Sequence, residues 1–279
     1  MEQEVLKTVK VERLRMNSSF LEREVLADIY ISQKEEQSYK RLLLINDGQD
    51  LVKMPFDILL DALISNNEIQ PLVCVGIHAG TERRMEYGTA RQPDYMQRGA
   101  KAVNHEDFVL KELLPQLKEK LGIEQFDEIS YAGFSLGGLS AIDVVWNHPS
   151  LFKIAGVFSG SLWWRSKDLN DGYNEETDRI MHQQVKEGKY HAGLRFYFTT
   201  GSLDETADRN GNGIIDSIDD TLGIIEALKQ KGYTDNDIRY INYEDGRHDV
   251  ETWARAFPDF LKWGWGVSPL KEIQSPESC

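Results

Sequence analysis

The sequence predicts an α/β fold: a mostly parallel sheet of about eight strands with helices on both faces and an antiparallel N-terminal hairpin. From Arg41 onward, apolar and β-branched runs alternate with segments of helical periodicity, which is the signature of a parallel sheet. The first two strand-like runs, Val5–Arg15 and Glu22–Ile31, are joined only by Met16–Leu21, too short for a crossover, so they must turn back as a hairpin. Further strands are expected at Arg41–Asn46, Pro71–His78, Glu128–Gly133, Lys153–Phe158, Leu194–Thr200 and Ile238–Tyr243. Between them, His105–Leu121 carries Phe108, Leu110, Leu113, Leu114, Leu117 and Leu121 at spacings of three and four, a core-facing helical stripe. Asp219–Lys231 carries Leu222, Ile225 and Leu228 at a spacing of three and is read the same way. Leu139–Trp146 is helical, and Trp163–Lys189 is expected to form a helical cover with polar stretches. Residues 1–266 read as one domain, and 267–279 as a loosely attached tail.

Composition narrows the function. With 41% hydrophobic and 28% charged residues, the 279-residue chain can bury a sizeable core. A formal charge of −14 repels phosphate backbones and anionic lipids, so nucleic acid and membrane surfaces are not expected partners. The two cysteines, Cys74 in an apolar run and Cys279 at the last position, give no disulfide framework and no catalytic pattern. The N-terminus mixes charged and apolar residues without a signal-peptide core, and no apolar stretch of about 18 residues exists, so the expectation is a cytoplasmic protein.

An open α/β sheet places its site at the carboxyl ends of its strands. Directly after the strand EISYAG comes Gly133-Phe134-Ser135-Leu136-Gly137-Gly138, running into a helix. This is G-x-S-x-G in strand–turn–helix context, the nucleophile elbow, in which glycines remove the Cβ atoms that would clash around a strained serine. In that architecture the partners follow in the order Ser, Asp or Glu, His. Asp204, with Glu205 as the competing carboxylate, follows the strand LRFYFTT, and His248 follows IRYINY. His248 would take the Ser135 proton, and Asp204 would orient the imidazole. His105, His148, His182 and His191 follow no strand and read as surface or core residues, and His78 precedes the serine, against the usual order. For the oxyanion, Leu136 N–H is the expected first donor, and Gln49 N–H, turned by Gly48 after the strand RLLLI, the second; the competing reading of Asp47-Gly48 is an ordinary turn.

From about Val9 to Trp265 the chain resembles the esterase family of α/β-hydrolases that holds esterase D (S-formylglutathione hydrolase), feruloyl and acetyl-xylan esterases, the mycolyltransferases and the ferric-enterobactin esterases. The resemblance is carried, in order, by LLLINDGQDL, VGIHAGTERRMEYG, YAGFSLGGLSA, FSGSLWWR and GRHDVETWARAFPDFL. It implies the α/β-hydrolase fold, a Ser135–His248–Asp204 triad and an oxyanion loop at the Asp47-Gly48-Gln49 segment. Ser-Leu-Trp-Trp looks most like the siderophore-esterase side of the family.

Trp163 and Trp164 read either as walls of an aromatic pocket or as core, and Arg84 either as a binder of a substrate carboxylate or as a partner of Glu86, the pair being favoured. A second motif begins at Asp208: oxygen donors recur at Asp208, Asn210, Asn212, Asp216 and Asp219, with Gly213 at the sixth position and the Ile214 carbonyl at the seventh. That is the pattern of a calcium loop, similar to EF-hand and dockerin loops, with aspartate where an EF-hand has glutamate. Its plain alternative is a polar turn with Asp219 or Asp220 capping the next helix.

The sequence therefore reads as a serine carboxylic-ester hydrolase for a small-molecule ester of aromatic, siderophore or carbohydrate type, with no organic cofactor and a structural Ca²⁺. The alternatives are an acyltransferase of the same fold and a non-catalytic, calcium-stabilised binding protein. Oligomeric state is not readable.

Overall fold

The computed structural model describes residues 8–33 and 40–267. Eight strands form one sheet in the order β1-β2-β4-β3-β5-β6-β7-β8. They span Val9–Ser18 (β1), Arg23–Ser32 (β2), Arg41–Asn46 (β3), Val73–Ile77 (β4), Glu128–Phe134 (β5), Phe152–Phe158 (β6), Arg195–Leu203 (β7) and Ile238–Arg247 (β8). The β1–β2 hairpin is antiparallel, with Val9 opposite Ser32, and β2 also runs antiparallel to β4. Every other pair is parallel. The predicted residues 5–7 of the first strand, Cys279 and tail residues 268–279 lie outside the described residues.

Nine helices are described: α1 (Phe56–Ser65), α2 (Arg83–Glu86), α3 (Ala102–Asp107), α4 (Leu114–Leu121), α5 (Leu136–Asn147), α6 (Glu175–Asp178), α7 (Ile180–Glu187), α8 (Asp216–Lys231) and α9 (Val250–Trp265). Strand alternation decides how they pack. On β3, Leu42 and Leu44 face the layer with Leu117, Leu139 and Leu228, while Leu43 and Ile45 face the layer with Phe56, Phe257 and Phe260. A strand buried on both faces needs an unbroken apolar run, and RLLLIN supplies it. Cys74 points into the α1/α9 layer, and full burial pushes its thiol far above the usual range, so it acts as a small hydrophobe.

The topology fixes where a site can form. From β3 the chain moves outward to β4, then crosses back to β5 on the other side of β3. At this switch point the loops after β3 and β5 diverge and leave a crevice at the carboxyl ends of both strands. Gly48, opening a 3₁₀ turn at Gly48–Lys53, lies so close to β4 that a Cβ there would sit 2.1 Å from the Gly76 carbonyl carbon. Only glycine lets that turn enter the crevice.

Three sequence expectations change. The helix expected from His105 begins at Ala102 and passes through a π-helical stretch, Phe108–Leu113, before α4. Leu222 on α8 is 40% exposed, and the buried stripe there runs through Ile224, Ile225, Ala227 and Leu228. Between Trp163 and Lys189 only α6 and α7 are helical, and the rest is turns, bends and irregular loop.

Candidate active site

Ser135 sits between β5 and α5 with φ 53° and ψ −121°, a conformation non-glycine residues rarely adopt. Its surroundings hold it there. The Ser135 N–H donates to the Phe158 carbonyl (2.9 Å), and its own carbonyl accepts from Gly138 (3.0 Å), Leu139 (3.2 Å) and Ser161 (3.1 Å). A Cβ on Gly133 would stand 2.4 Å from the Gly137 carbonyl carbon, and one on Gly137 2.6 Å from an Asp47 carboxylate oxygen. The elbow glycines are therefore required by two separate close approaches, one within the elbow and one to the loop after β3.

That loop is tied to the elbow through buried hydrogen bonds. The Asn46 side-chain amide donates to the Gly137 carbonyl (3.0 Å) and accepts from the Tyr131 hydroxyl (2.8 Å), which in turn lies 3.0 Å from His105 Nε2. Burial lowers the His105 pKa to about 3, so the ring is neutral and structural. In the 3₁₀ turn the first backbone bond runs from Asp50 N–H to the Asp47 carbonyl, and in α5 the first runs from Gly138 to Ser135. The Gln49 and Leu136 N–H groups precede those bonds, at positions where a helical turn has no carbonyl to accept them. The Gln49 side chain is occupied elsewhere, accepting from Ala79 N–H (3.0 Å).

Asp204 and His248 line the same cavity of about 240 Å³ as Ser135, together with Ser159, Gly160, Ser161, Trp163, Glu205 and Ser217. Asp204 lies just past β7, where one carboxylate oxygen accepts from Gly201 N–H (3.1 Å) and the other is buried with no hydrogen-bond partner. Burial raises its pKa against the pull of Gly201, Ser159 and His248. β8 runs further than expected, through the Glu244–Arg247 segment, because Gly201 and Gly246 let β7 and β8 come together: a Cβ on Gly201 would fall 2.4 Å from the Gly246 carbonyl carbon. His248 follows immediately, and Asp249 caps α9 by accepting from Thr252 N–H (2.9 Å). The His248 and Trp253 rings pack edge to face (5.3 Å, 83°), and the indole N–H donates to Ser159 Oγ (3.1 Å). Burial lowers the His248 pKa, the Asp204 charge opposes that shift, and the Arg83 charge adds to it.

Arg83, and not the sequence candidate Arg84, is the arginine engaged beside the elbow. Arg84 is exposed and lies outside the cavity lining, and Glu86 pairs with Arg23 (2.7 Å) in place of Arg84. Arg83 instead grips Asp47 with two parallel bonds (2.6 and 2.7 Å) and reaches the Phe134 carbonyl (3.4 Å). Asp47 is 2% exposed and has φ 59°, so the fork holds a strained residue at the root of the Gln49 turn. Arg83→Met is expected to leave that buried carboxylate without a cation and to cost about 2–3 kcal/mol in urea unfolding, with Asp47→Asn in the same chain restoring part of it. Additive losses in the double variant would mean that the two residues are not coupled.

The tryptophans separate cleanly. Trp164 is fully buried and fills the space above Gly88 and Gly99, a core role rather than a substrate wall. Trp163 lines the cavity, with the Arg98 guanidinium 4.8 Å from its ring centroid. His78 is engaged with Asp28 (2.8 Å), and His182 with the Asp220 carbonyl (2.9 Å).

In the 208–219 loop, the Asp208 carboxylate accepts from Asn212 and Gly213 N–H (3.1 and 2.9 Å), and the Asn210 and Asn212 amides reach the two oxygens of Asp219 (3.0 and 3.2 Å). The Asn210, Asn212 and Asp219 side chains come together, and Asp208 is tied to the backbone of the same loop. Asp216 does not join them: it accepts from the Arg209 N–H (2.9 Å) and faces the Arg209 guanidinium (3.3 Å). Among the described residues no group of three or more His, Cys, Asp or Glu is arranged to hold a metal ion, and this loop brings amides as well as carboxylates.

Residues 18–263 match the family model described as "Putative esterase". The chain belongs to that esterase family. The chain is 20% identical, over 80% of its length, to the uncharacterized protein YbbA of Bacillus subtilis (strain 168), of which the match covers 84%. Its structure is similar to that of enterochelin esterase from Shigella flexneri, with a TM-score of 0.70 and 21% identity over 93% of this chain and 58% of that one. The chain thus spans under two thirds of the Shigella enzyme. It is also similar to the siderophore hydrolase EstB from Aspergillus nidulans, with a TM-score of 0.67 and 17% identity over 96% of this chain and 100% of that one. At these identities the likeness establishes the α/β-hydrolase fold. No helix among the described residues is long and apolar enough to cross a membrane.

Proposed function

We propose that this esterase is a serine carboxylic-ester hydrolase with Ser135 as nucleophile, His248 as general base and Asp204 as the acid that orients it. The observation that carries this reading is the strained, positive-φ Ser135 on a cavity shared with His248 and Asp204. Ser135 Oγ adds to the ester carbonyl as its proton passes to His248, and the oxyanion is met by the Leu136 and Gln49 N–H groups. Collapse of the tetrahedral adduct breaks the bond to the alcohol, which leaves with the proton from His248. Water then adds to the acyl-enzyme by the same proton path, releasing the carboxylic acid and free Ser135.

The unpartnered Asp204 oxygen supports the assignment, since it is an acceptor left for the imidazole N–H. The enterochelin and siderophore named for the similar structures make a polar aromatic or siderophore-type ester our first substrate class. A panel of p-nitrophenyl esters from acetate to octanoate, with an aromatic member, tests the reading: hydrolysis is expected, and its chain-length preference measures the acyl space. Absence of hydrolysis on every ester, together with no fluorophosphonate labelling, would contradict it.

We also propose a structural Ca²⁺ in the 208–219 loop. Asp208, Asn210, Asn212 and Asp219 would hold it, with the Ile214 carbonyl completing the sequence pattern; a hard cation suits such oxygen donors. Bound there, the ion would stiffen the segment between Asp204 and α8. Calorimetric titration of chelator-treated protein is expected to show calcium binding and a higher Tm, about 2.7 kcal/mol of stabilisation at a hundredfold excess over Kd. No heat and an unchanged Tm would refute the site.

A further inference from the structure

The cavity around Ser135 contains polar groups that the proposed mechanism does not use. Glu205 follows Asp204 in the loop after β7, and Ser217 lies in the first turn of α8; both line the cavity beside Trp163. They are neighbours, close enough for the Ser217 backbone N–H to favour the charged Glu205 carboxylate. Ser217 is 7% exposed, and its hydroxyl oxygen is buried with no hydrogen-bond partner.

The charges that act most on Glu205 itself are negative. Asp216, Asp220 and Asp204 all act on Glu205, and together with burial they push its pKa up. Asp220 is already paired with Arg179 (2.9 Å) and with Arg209, and Asp216 with Arg209. Glu205 has no ion pair among those found in the described residues. A half-buried carboxylate beside an unsatisfied hydroxyl is costly unless something donates to it, and the neighbouring carboxylates repel an anionic group from the same place.

We propose that Glu205 and Ser217 form a specificity subsite for a hydrogen-bond donor carried by the ester, a hydroxyl or an ammonium group, with Trp163 as the apolar surface for the ring or chain that bears it. This rests on the serine-esterase reading and names the substrate chemistry within it. Glu205 accepts from the donor, Ser217 supplies a second polar contact, and an ester bearing a carboxylate at that position is disfavoured.

Arylboronic acids, which form reversible tetrahedral adducts with a catalytic serine, test the subsite without regard to which half of the ester carries the donor. Ki would be measured for three meta-substituted phenylboronic acids: ethyl, hydroxymethyl and ammoniomethyl. The hydroxymethyl and ammoniomethyl compounds are expected to bind wild type about 10-fold more tightly than the ethyl one, the effect of one hydrogen bond to a charged group. Glu205→Ala should level all three. Glu205→Gln should keep the hydroxymethyl preference and lose the ammoniomethyl one, and Ser217→Ala should shrink the hydroxymethyl preference; these near-isosteric variants keep the test decisive if Glu205→Ala does not fold. Equal Ki values for the three compounds in wild type overturn the subsite while leaving the serine mechanism standing. Loss of p-nitrophenyl acetate hydrolysis in Glu205→Ala to the level of Asp204→Ala also overturns it, because Glu205 would then be the catalytic acid. If none of the compounds binds wild type and Ser135→Ala retains hydrolysis, the serine reading itself fails and the subsite falls with it.

Discussion

Ser135→Ala and His248→Ala are each expected to lower kcat for an activated ester by roughly 10⁵-fold to 10⁶-fold, with the double variant no worse than either alone. The two groups act in one proton transfer, so once either is gone the other has nothing to act on. Asp204→Ala is expected to cost about 10⁴-fold, because the imidazole loses its orienting carboxylate while the oxyanion donors remain. The pH profile carries a sign as well. His248 works as a base only when neutral, and its pKa lies below the ordinary histidine value because burial and the Arg83 charge disfavour the imidazolium more than Asp204 favours it. The acid limb of kcat/KM should therefore fall with an apparent pKa below about 6.5, keeping activity at a pH where an exposed histidine would be protonated. Arg83→Met removes one of the two lowering influences and should move that limb to higher pH. A profile unchanged in Arg83→Met would mean that Arg83 does not act on the catalytic base.

The largest expected effect on stability is at Gly133. An alanine there would place its Cβ 2.4 Å from both the carbonyl carbon and oxygen of Gly137, backbone atoms that cannot rotate away. Either β5 or the start of α5 must move, and both carry the bonds that hold Ser135. Gly133→Ala is expected to cost at least about 4 kcal/mol or to prevent folding, in the range reserved for overpacking at a strained site. Gly122→Ala gives the matched control. Gly122 has φ 66° at the end of α4, and nothing lies within 4 Å of a Cβ placed there. Only the left-handed penalty remains, about 1–2 kcal/mol. Urea midpoints of the two variants would separate steric exclusion from backbone conformation; equal losses would remove the argument from close approach.

The fold was legible because its strands are defined by local composition. β3 begins and ends at the predicted residues, and the others differ by a few, since an apolar run buried on both faces has few ways to read otherwise. The elbow was legible for the same local reason, as was the placement of Asp204 and His248 at strand ends. What could not be read depends on contacts across the chain. Glu-Asp-Gly reads as a turn, yet β8 continues through it because Gly246 meets Gly201 on the neighbouring strand. Leu222 reads as core from its spacing of three to Ile225, but steps of three do not stay on one face. On a helix each such step drifts by about 60°, so the run from Leu222 to Leu228 spreads over roughly 120° and its first member reaches solvent. Arg83 and Arg84, like Trp163 and Trp164, differ by one position, and a one-residue change of phase in a short segment decides which arginine grips Asp47 and which tryptophan lines the cavity. Asp216 fits the calcium-loop spacing, but Arg209, seven residues earlier, takes its carboxylate.

The most direct test of the central claim is covalent: incubate the protein with a fluorophosphonate and locate the adduct by peptide mass spectrometry, with Ser135→Ala alongside. The account predicts a single phosphonylated serine, Ser135, with labelling abolished in Ser135→Ala and strongly slowed in His248→Ala. Labelling of another serine lining the cavity, such as Ser159 or Ser161, or undiminished labelling of Ser135→Ala, would contradict it.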